Sequence, residues 1–299
     1  MTAVSLASTP AALSGDTMRD AVARGLAASA GRITQGRAAV TGTGDLAAVK
    51  QMRVGTRRLR SALQLFAPVL DETWTVETRA ALQSLADPLG AVRDTDVRAQ
   101  RLRTTAADSP LTPPSAGVDA MVARLEADRE VALTSLRADL SAGRWSELLD
   151  GLPVTVNSPP MRPNVDEFPS RWAVRGLVDV RWRRLRRRAR ALHAAAGDGQ
   201  LHELRIAVKR CRYAILATDS DLGDAARLWS SALADLQDVL GEHQDAVVTM
   251  SWCNEQRSGP GARAAAMLAV VEAYRARAAA LRWPDAWQAA ERTARWRWL

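Results

Sequence analysis

Apolar residues recur at steps of three and four along almost the whole chain, and the period-two alternation of a half-buried strand is nearly absent. That pattern predicts an all-α protein, and the dominance of Ala, Leu, Arg and Glu agrees with it. The stripes place helices at about 16–39, 45–66, 72–86, 94–106, 117–142, 168–196, 200–218, 223–239, 243–256, 261–282 and 284–298. Pro153, Pro159, Pro160, Pro163 and Pro169 cluster between Gly151 and Pro169, a stretch expected to hold no helix and to divide the chain. Shorter breaks, Ser109–Ser115 with three prolines and Ser258–Gly261, fall at corresponding places in the two halves.

The correspondence extends to the residues themselves. Sliding the chain by 152 positions lays Val49–Arg60 on Leu201–Arg212, and nearly every pair matches in chemical type. At an offset of 151, Leu85-Ala86-Asp87-Pro88-Leu89-Gly90 and Asp94 fall on Leu236-Gln237-Asp238-Val239-Leu240-Gly241 and Asp245. The expected organisation is a flexible tail (1–15), a first helical repeat (16–150), a Pro-rich linker (151–169) and a second repeat (170–299). Together the repeats would form one pseudo-twofold domain. Gly90 and Gly241 read most simply as ends of helices, with Asp94 and Asp245 capping the next ones. The alternative is that these carboxylates hold and orient arginines by charge-assisted hydrogen bonds.

On a helix, Lys50, Arg53, Arg57 and Arg60 fall on one stripe, and so do His202, Arg205, Lys209 and Arg212. Arg58 and Arg210 match each other just outside it. Met52, Thr56, Leu59 and Leu63 form the neighbouring apolar face, as do Leu204, Val208, Cys211 and Ile215. Like charges at this spacing cost about 0.2–0.5 kcal/mol per pair, which an anionic partner would offset. A solvated face needs only generic polarity, so two copies with matched cations favour binding over mere solubility. A third cationic stretch surrounds Arg181, Arg184 and Arg188, beside the apolar stripe Val174, Val178, Trp182, Leu185, Ala189 and Leu192. Arg32 aligns with Arg184, and these four arginines are secondary candidates.

Charge broadens this reading. Forty-one Lys plus Arg against 33 Asp plus Glu leave a formal +8 over 299 residues, which points to an anionic partner. The two cysteines, Cys211 and Cys253, imply no disulfide framework, and a cytoplasmic setting is expected. The opening residues lack the character of a secretory signal, and no apolar run is long enough to span a membrane.

The pattern His-x-x-Arg-x-x-x-basic-Arg-x-Arg at His202–Arg212, its copy at Lys50–Arg60, and the Leu-Gly-x-x-x-Asp turn that follows each resemble the CHAD family, the conserved histidine α-helical domain. The resemblance covers roughly residues 16–299. It implies two related helical bundles whose basic helices line a central cavity or groove for inorganic polyphosphate, often in association with polyphosphate granules. Carried over by position, the binding groups would be Arg53, Arg57, Arg58, Arg60, His202, Arg205, Lys209, Arg210 and Arg212. Lys50 departs from the pattern by replacing the first copy's histidine, although the position stays cationic.

Three rivals remain. A nucleic-acid backbone would satisfy the same cations, but beside the two matched basic stretches, Val49–Arg60 and Leu201–Arg212, only Tyr213 offers a ring for stacking bases. An enzyme would need an activated nucleophile or metal-binding carboxylates, and His193, His202 and His243 lack ligand spacing; no cofactor or metal is expected. The stripe Trp283, Trp287, Ala290, Ala294 and Trp298, flanked by Arg282, Arg292, Arg295 and Arg297, could lie on a membrane surface, yet core packing is the simpler expectation.

Overall fold

A computed structural model of the chain describes residues 17–165, 170–218, 224–256 and 258–294, and within them the apolar periodicity resolves into α-helices without a strand. These are α1 (Met18–Thr43), α2 (Leu46–Phe66), α3 (Glu72–Ala107), α4 (Ser115–Ser141), α5 (Ser146–Asn157), α6 (Ser170–Arg190), α7 (Asp198–Ala217), α8 (Asp224–Glu255) and α9 (Ala262–Ala294). Expectations for the tail at 1–15 and for Trp298, Arg295 and Arg297 lie outside the described residues.

Local chemistry sets many of the ends. Thr17 and Asp20 form a reciprocal capping box that opens α1. Gly44, at φ 68°, closes α1 in a left-handed turn in which its N–H donates to the Val40 carbonyl and the Asp45 N–H to that of Ala39. Asp45 then caps α2 through the Ala47 N–H, and Asp71 caps α3 through the Trp74 N–H at 2.8 Å.

Three expected breaks are absent. The segments read as 72–86 and 94–106 are one helix, α3, which passes through Pro88 and Gly90; those at 223–239 and 243–256 are likewise α8, through Gly241. The pair 261–282 and 284–298 is α9, continuous through Pro284 as far as Ala294. An interior proline costs about 3 kcal/mol. Burial outweighs it, because Leu82, Leu85, Leu89 and Val92 continue one fully buried stripe across Pro88, each worth about 1.5–3 kcal/mol. Gly90 and Gly241 therefore end nothing, and Asp94 and Asp245 cap nothing. Helix α5 also enters the Pro-rich segment, running through Gly151 and Pro153 to Asn157.

Helix α1 packs on α2, α3 on α4, α6 on α7 and α8 on α9, while α2 also meets α7. One apolar cluster runs through both halves, from Leu26, Ile33 and Phe66 to Val208, Trp229 and Leu236. A smaller one joins the far ends of α3, α4, α8 and α9 around Leu102, Met121, Leu125 and Leu268. Trp182 meets Trp229 edge-on and stacks on Trp287, at 5.2 and 5.4 Å between ring centroids. Trp283, Trp287, Ala290 and Ala294 are buried in the core. Among the described residues no helix is long and apolar enough to cross a membrane.

Gly55 permits the close approach of α1 and α2. A β-carbon there would stand 2.8 Å from both the Ser29 carbonyl oxygen and Ile33 Cγ1. Gly55→Val is expected to destabilise the fold by about 1–3 kcal/mol through overpacking, read as a lower urea midpoint. An unchanged midpoint would show that the two helices separate at no cost.

Candidate anion-binding site

The apolar faces of α2 and α7 determine where their cations point. Met52, Leu59, Leu63, Leu204, Val208, Cys211 and Ile215 are fully buried, together with Thr56, so Arg53 and Arg57 on α2, and Arg205 and Lys209 on α7, take the adjoining face. All four line one cavity of about 350 Å³, closed by Arg93, Asp94, Val97, Arg98 and Arg101 of α3 and by Gln244, Asp245, Val248 and Thr249 of α8. The lining follows the repeat offsets found in the sequence. Arg53 corresponds in sequence to Arg205, Arg57 to Lys209, Asp94 to Asp245 and Val97 to Val248, and all eight belong to the lining.

The glycine-to-aspartate spacing has a structural reason. A β-carbon on Gly90 would lie 3.9 Å from Arg53 Nε, and one on Gly241 3.8 Å from Arg205 Nε, so each arginine lies across its neighbouring helix at a glycine. One turn later a carboxylate meets the guanidinium: Arg53 Nη2 donates to Asp94 Oδ1 at 2.7 Å, and Arg205 Nη2 stands 3.8 Å from Asp245 Oδ1. Asp94 therefore holds Arg53 by a charge-assisted hydrogen bond, and Asp245 stands at ion-pair distance from Arg205.

Seven cationic side chains face two carboxylates in this lining. Some are already engaged: Arg53 by Asp94, Arg93 by Asp96, and Arg101 by Glu272. Arg57, Arg98 and Lys209 have no carboxylate partner among the described residues; Arg57 instead lies over the Tyr213 ring and Arg98 over Trp252, each 5.6 Å from the centroid. The Nε atoms of Arg57 and Arg205 are buried without a hydrogen-bond partner. Burial, then the charges of Arg205 and Arg57, push the Lys209 ammonium down to about 7, against a weaker opposing pull from Asp245. Burial likewise lowers Arg205, with Asp245 opposing.

The other expected residues lie outside this lining. Lys50 is exposed, and His202 lies outside the cavity but bonds Gln244, Nδ1 to Oε1 at 2.6 Å. Arg58 is held below its usual value by burial and then by Arg32, with Arg212 and Arg57 adding to the effect; Arg60 is lowered by burial and then Arg79. Arg212 donates to Gln237 at 3.4 Å. Arg210 faces the opposite side of α7 and lines a groove of about 510 Å³ against α6, with Arg181, Arg184, Arg187 and Arg188. In that groove Arg181 donates to the Gln64 carbonyl at 2.7 Å, and Arg188 pairs with Glu203 at 3.0 Å.

Arg93, Arg98 and Arg101 were absent from the expected set. The repeat puts Gln244, Thr249 and Trp252 at their counterpart positions, so a search for matched cations passes over them. Their signal is a run of arginines beside Asp94 at helical spacing. His243 is buried with Nε2 3.0 Å from Asp198 Oδ1, away from this cavity. Among the described residues no group of three or more His, Cys, Asp or Glu is placed to hold a metal ion.

Known proteins share this architecture. The crystal structure of the CHAD domain from the plant Ricinus communis superposes with a TM-score of 0.72 at 24% identity, covering 96% of this chain and 95% of that one. PptA from Streptomyces chartreusis gives a TM-score of 0.72 at 20% identity, over 91% of this chain and all of that one. The uncharacterized protein Rv2226 of Mycobacterium tuberculosis strain H37Rv is 31% identical over 216 residues, 68% of this chain, as is its counterpart MT2285 from strain CDC 1551. The chain spans 39% of the length of those two relatives. Residues 24–254, which carry both basic helices and both Leu-Gly-x-x-x-Asp segments, match the CHAD domain, and the chain belongs to that family.

Proposed function

We propose that the chain binds inorganic polyphosphate without turning it over, in the cavity between α2, α3, α7 and α8. The observation that carries this reading is that the matched cations, Arg53 and Arg205 and Arg57 and Lys209, line one cavity in which Arg57 and Lys209 have no carboxylate partner among the described residues. A solvated face would not need to turn both copies inward. In this reading the chain is a tandem duplication whose two basic helices cross on a pseudo-twofold axis, so the cavity presents similar donors to both sides of a linear anion. Membership of the CHAD family, for which the sequence resemblance implies polyphosphate, supports the same ligand.

Both carboxylates in the lining lie against arginines, which suits them to orienting donors rather than to acting as bases. Arg58, Arg60, Arg210 and Arg212, with Arg32, Arg181, Arg184 and Arg188, would continue the cationic path beyond the cavity, and Lys50 and His202 would stand outside it. Association with polyphosphate granules belongs to the same proposal.

Titration with long-chain polyphosphate at 50 and 200 mM salt tests it. Three to five neutralised phosphates predict an affinity about 20- to 100-fold weaker at the higher salt, by the counterion release of single strands. A charge-matched single-stranded DNA is expected to bind more weakly, because the cavity lining holds no aromatic residue and the Tyr213 and Trp252 rings that two of its arginines cover lie outside it. Equal affinity for the DNA would favour nucleic-acid backbone binding, and insensitivity to salt would overturn both readings.

A further inference from the structure

The cavity holds one cation of a different kind from the rest. Guanidinium groups stay charged in any protein environment, whereas a lysine ammonium surrenders its proton when burial and like charge make that favourable. Lys209 is the sole lysine in the lining. Around it stand Arg53 and Arg57 from α2, Arg93, Arg98 and Arg101 from α3, and Arg205 from its own helix. The acidic groups facing it are Asp245 of α8, which also stands beside Arg205, and Asp94 of α3, which is bonded to Arg53. The Tyr213 hydroxyl, one helical turn along α7, belongs to the ring that underlies Arg57. The matching position of the first half carries Arg57, so the two halves pair a permanent charge with a dischargeable one.

We propose that anion capture in this cavity is coupled to proton uptake at Lys209. The inference rests on the anion-binding reading above and adds its regulation. Without a ligand, like charges crowd the lining, and loss of one proton is the only way among these groups to relieve the repulsion. An entering polyphosphate reverses the balance, since each of its internal phosphates stays singly negative across the neutral and alkaline range. The proton that Lys209 gains comes from solvent, and nothing else is exchanged.

The sign follows from linkage. The free cavity holds Lys209 near 7 rather than its ordinary 10.5, and a bound polyanion raises it again. Between those limits the complex carries more protons than the free protein, so affinity falls as pH rises. Below the lower limit Lys209 is protonated in both states and the coupling vanishes. At pH 8 to 9 the expected uptake is about one proton per occupied site, equivalent to roughly tenfold weaker binding per pH unit.

The test is isothermal titration of the full chain with long-chain sodium polyphosphate, chosen so that titrating chain ends are few. It is run at pH 6, 8 and 9 in pairs of buffers that differ in ionisation enthalpy, which reads the protons directly. The expected result is uptake of about one proton at pH 8 and 9 and little at pH 6. In Lys209→Arg and in Lys209→Met, the uptake at pH 8 and 9 is expected to disappear, whatever happens to the affinity itself. Binding by the unmodified protein without uptake, or an undiminished uptake in Lys209→Arg, would overturn the coupling while leaving the anion site in place. Absence of binding at every pH in low salt would instead overturn the site, and the coupling with it.

Discussion

Replacing Arg57 and Lys209 together by glutamate is expected to weaken polyphosphate binding by about 100- to 10,000-fold while leaving helicity and thermal midpoint at or above those of the parent. Each removes one charge-assisted hydrogen bond, worth about 1.5–3 kcal/mol, and each adds a repulsive charge, so the lower figure already follows from the lost bonds. The fold should tolerate the change. Both side chains occupy the cavity rather than the apolar core, neither is ion-paired to a carboxylate, and new carboxylates there would face Arg53, Arg98 and Arg205. Affinity is measured by titration, and the fold by circular dichroism during heating. An affinity within a factor of three of the parent would remove α2 and α7 from the binding surface.

The second large effect concerns stability. Glu272 on α9 is 0% exposed, and its carboxylate accepts from Arg101 Nη2 at 2.6 Å, from Arg101 Nε at 3.0 and 3.1 Å, and from the Thr105 hydroxyl at 2.5 Å. Arg275 donates to the same hydroxyl at 2.7 Å and to Asp108 at 3.3 Å. This network fastens the C-terminal part of α3 to α9, beside the small apolar cluster around Leu102 and Leu268. Removing one partner of a buried ion pair leaves the other charge uncompensated, at a cost of about 3–5 kcal/mol. Glu272→Ala is therefore expected to lower the urea midpoint substantially, and Glu272→Gln, which keeps an acceptor for Thr105, to lower it less. Equal midpoints for the two variants would show that the charge of Glu272 is not what holds α3 to α9.

The two effects separate cleanly because the cations serve different ends. Arg101 belongs to both the cavity and the network, yet its guanidinium is committed to Glu272. Arg57 and Lys209 have no such commitment, and like-charge crowding at Lys209 is a cost that the folded protein carries without a bound anion. Residues that weaken a fold but face a cavity are the ones whose energetic return comes on binding.

The basic helices were legible from sequence because helical periodicity is a local property. Residues three and four apart share a face whatever the rest of the chain does, so the stripes of Arg53 with Arg57 and Arg205 with Lys209, and the buried rows beside them, follow from spacing alone. Helix continuity was less accessible. Pro88, Gly90, Gly241 and Pro284 are local signals for breaks, and only the burial of Leu85, Leu89, Leu240 and Trp287 on partner helices overrides them.

The same division applies to the site. The match between Val49–Arg60 and Leu201–Arg212 singled out one set of cations, but Arg93, Arg98 and Arg101 have no basic counterpart in it and become lining residues because α3 packs along α2. Conversely, Lys50 shares the stripe of Arg53 and Arg57 and yet lies outside the lining, exposed near the start of α2, while Arg210, one residue past Lys209 and so turned from it by about 100°, lines the groove against α6. The sequence by itself determined that the chain is helical, that Val49–Arg60 and Leu201–Arg212 match in chemical type, and which helices carry the charge. Tertiary packing alone decided that α2 and α7 meet, that Asp94 and Asp245 lie beside arginines within a helix instead of capping one, and that Lys209 is crowded by like charge. Those outcomes depend on distances between residues far apart in the chain, which periodicity cannot encode.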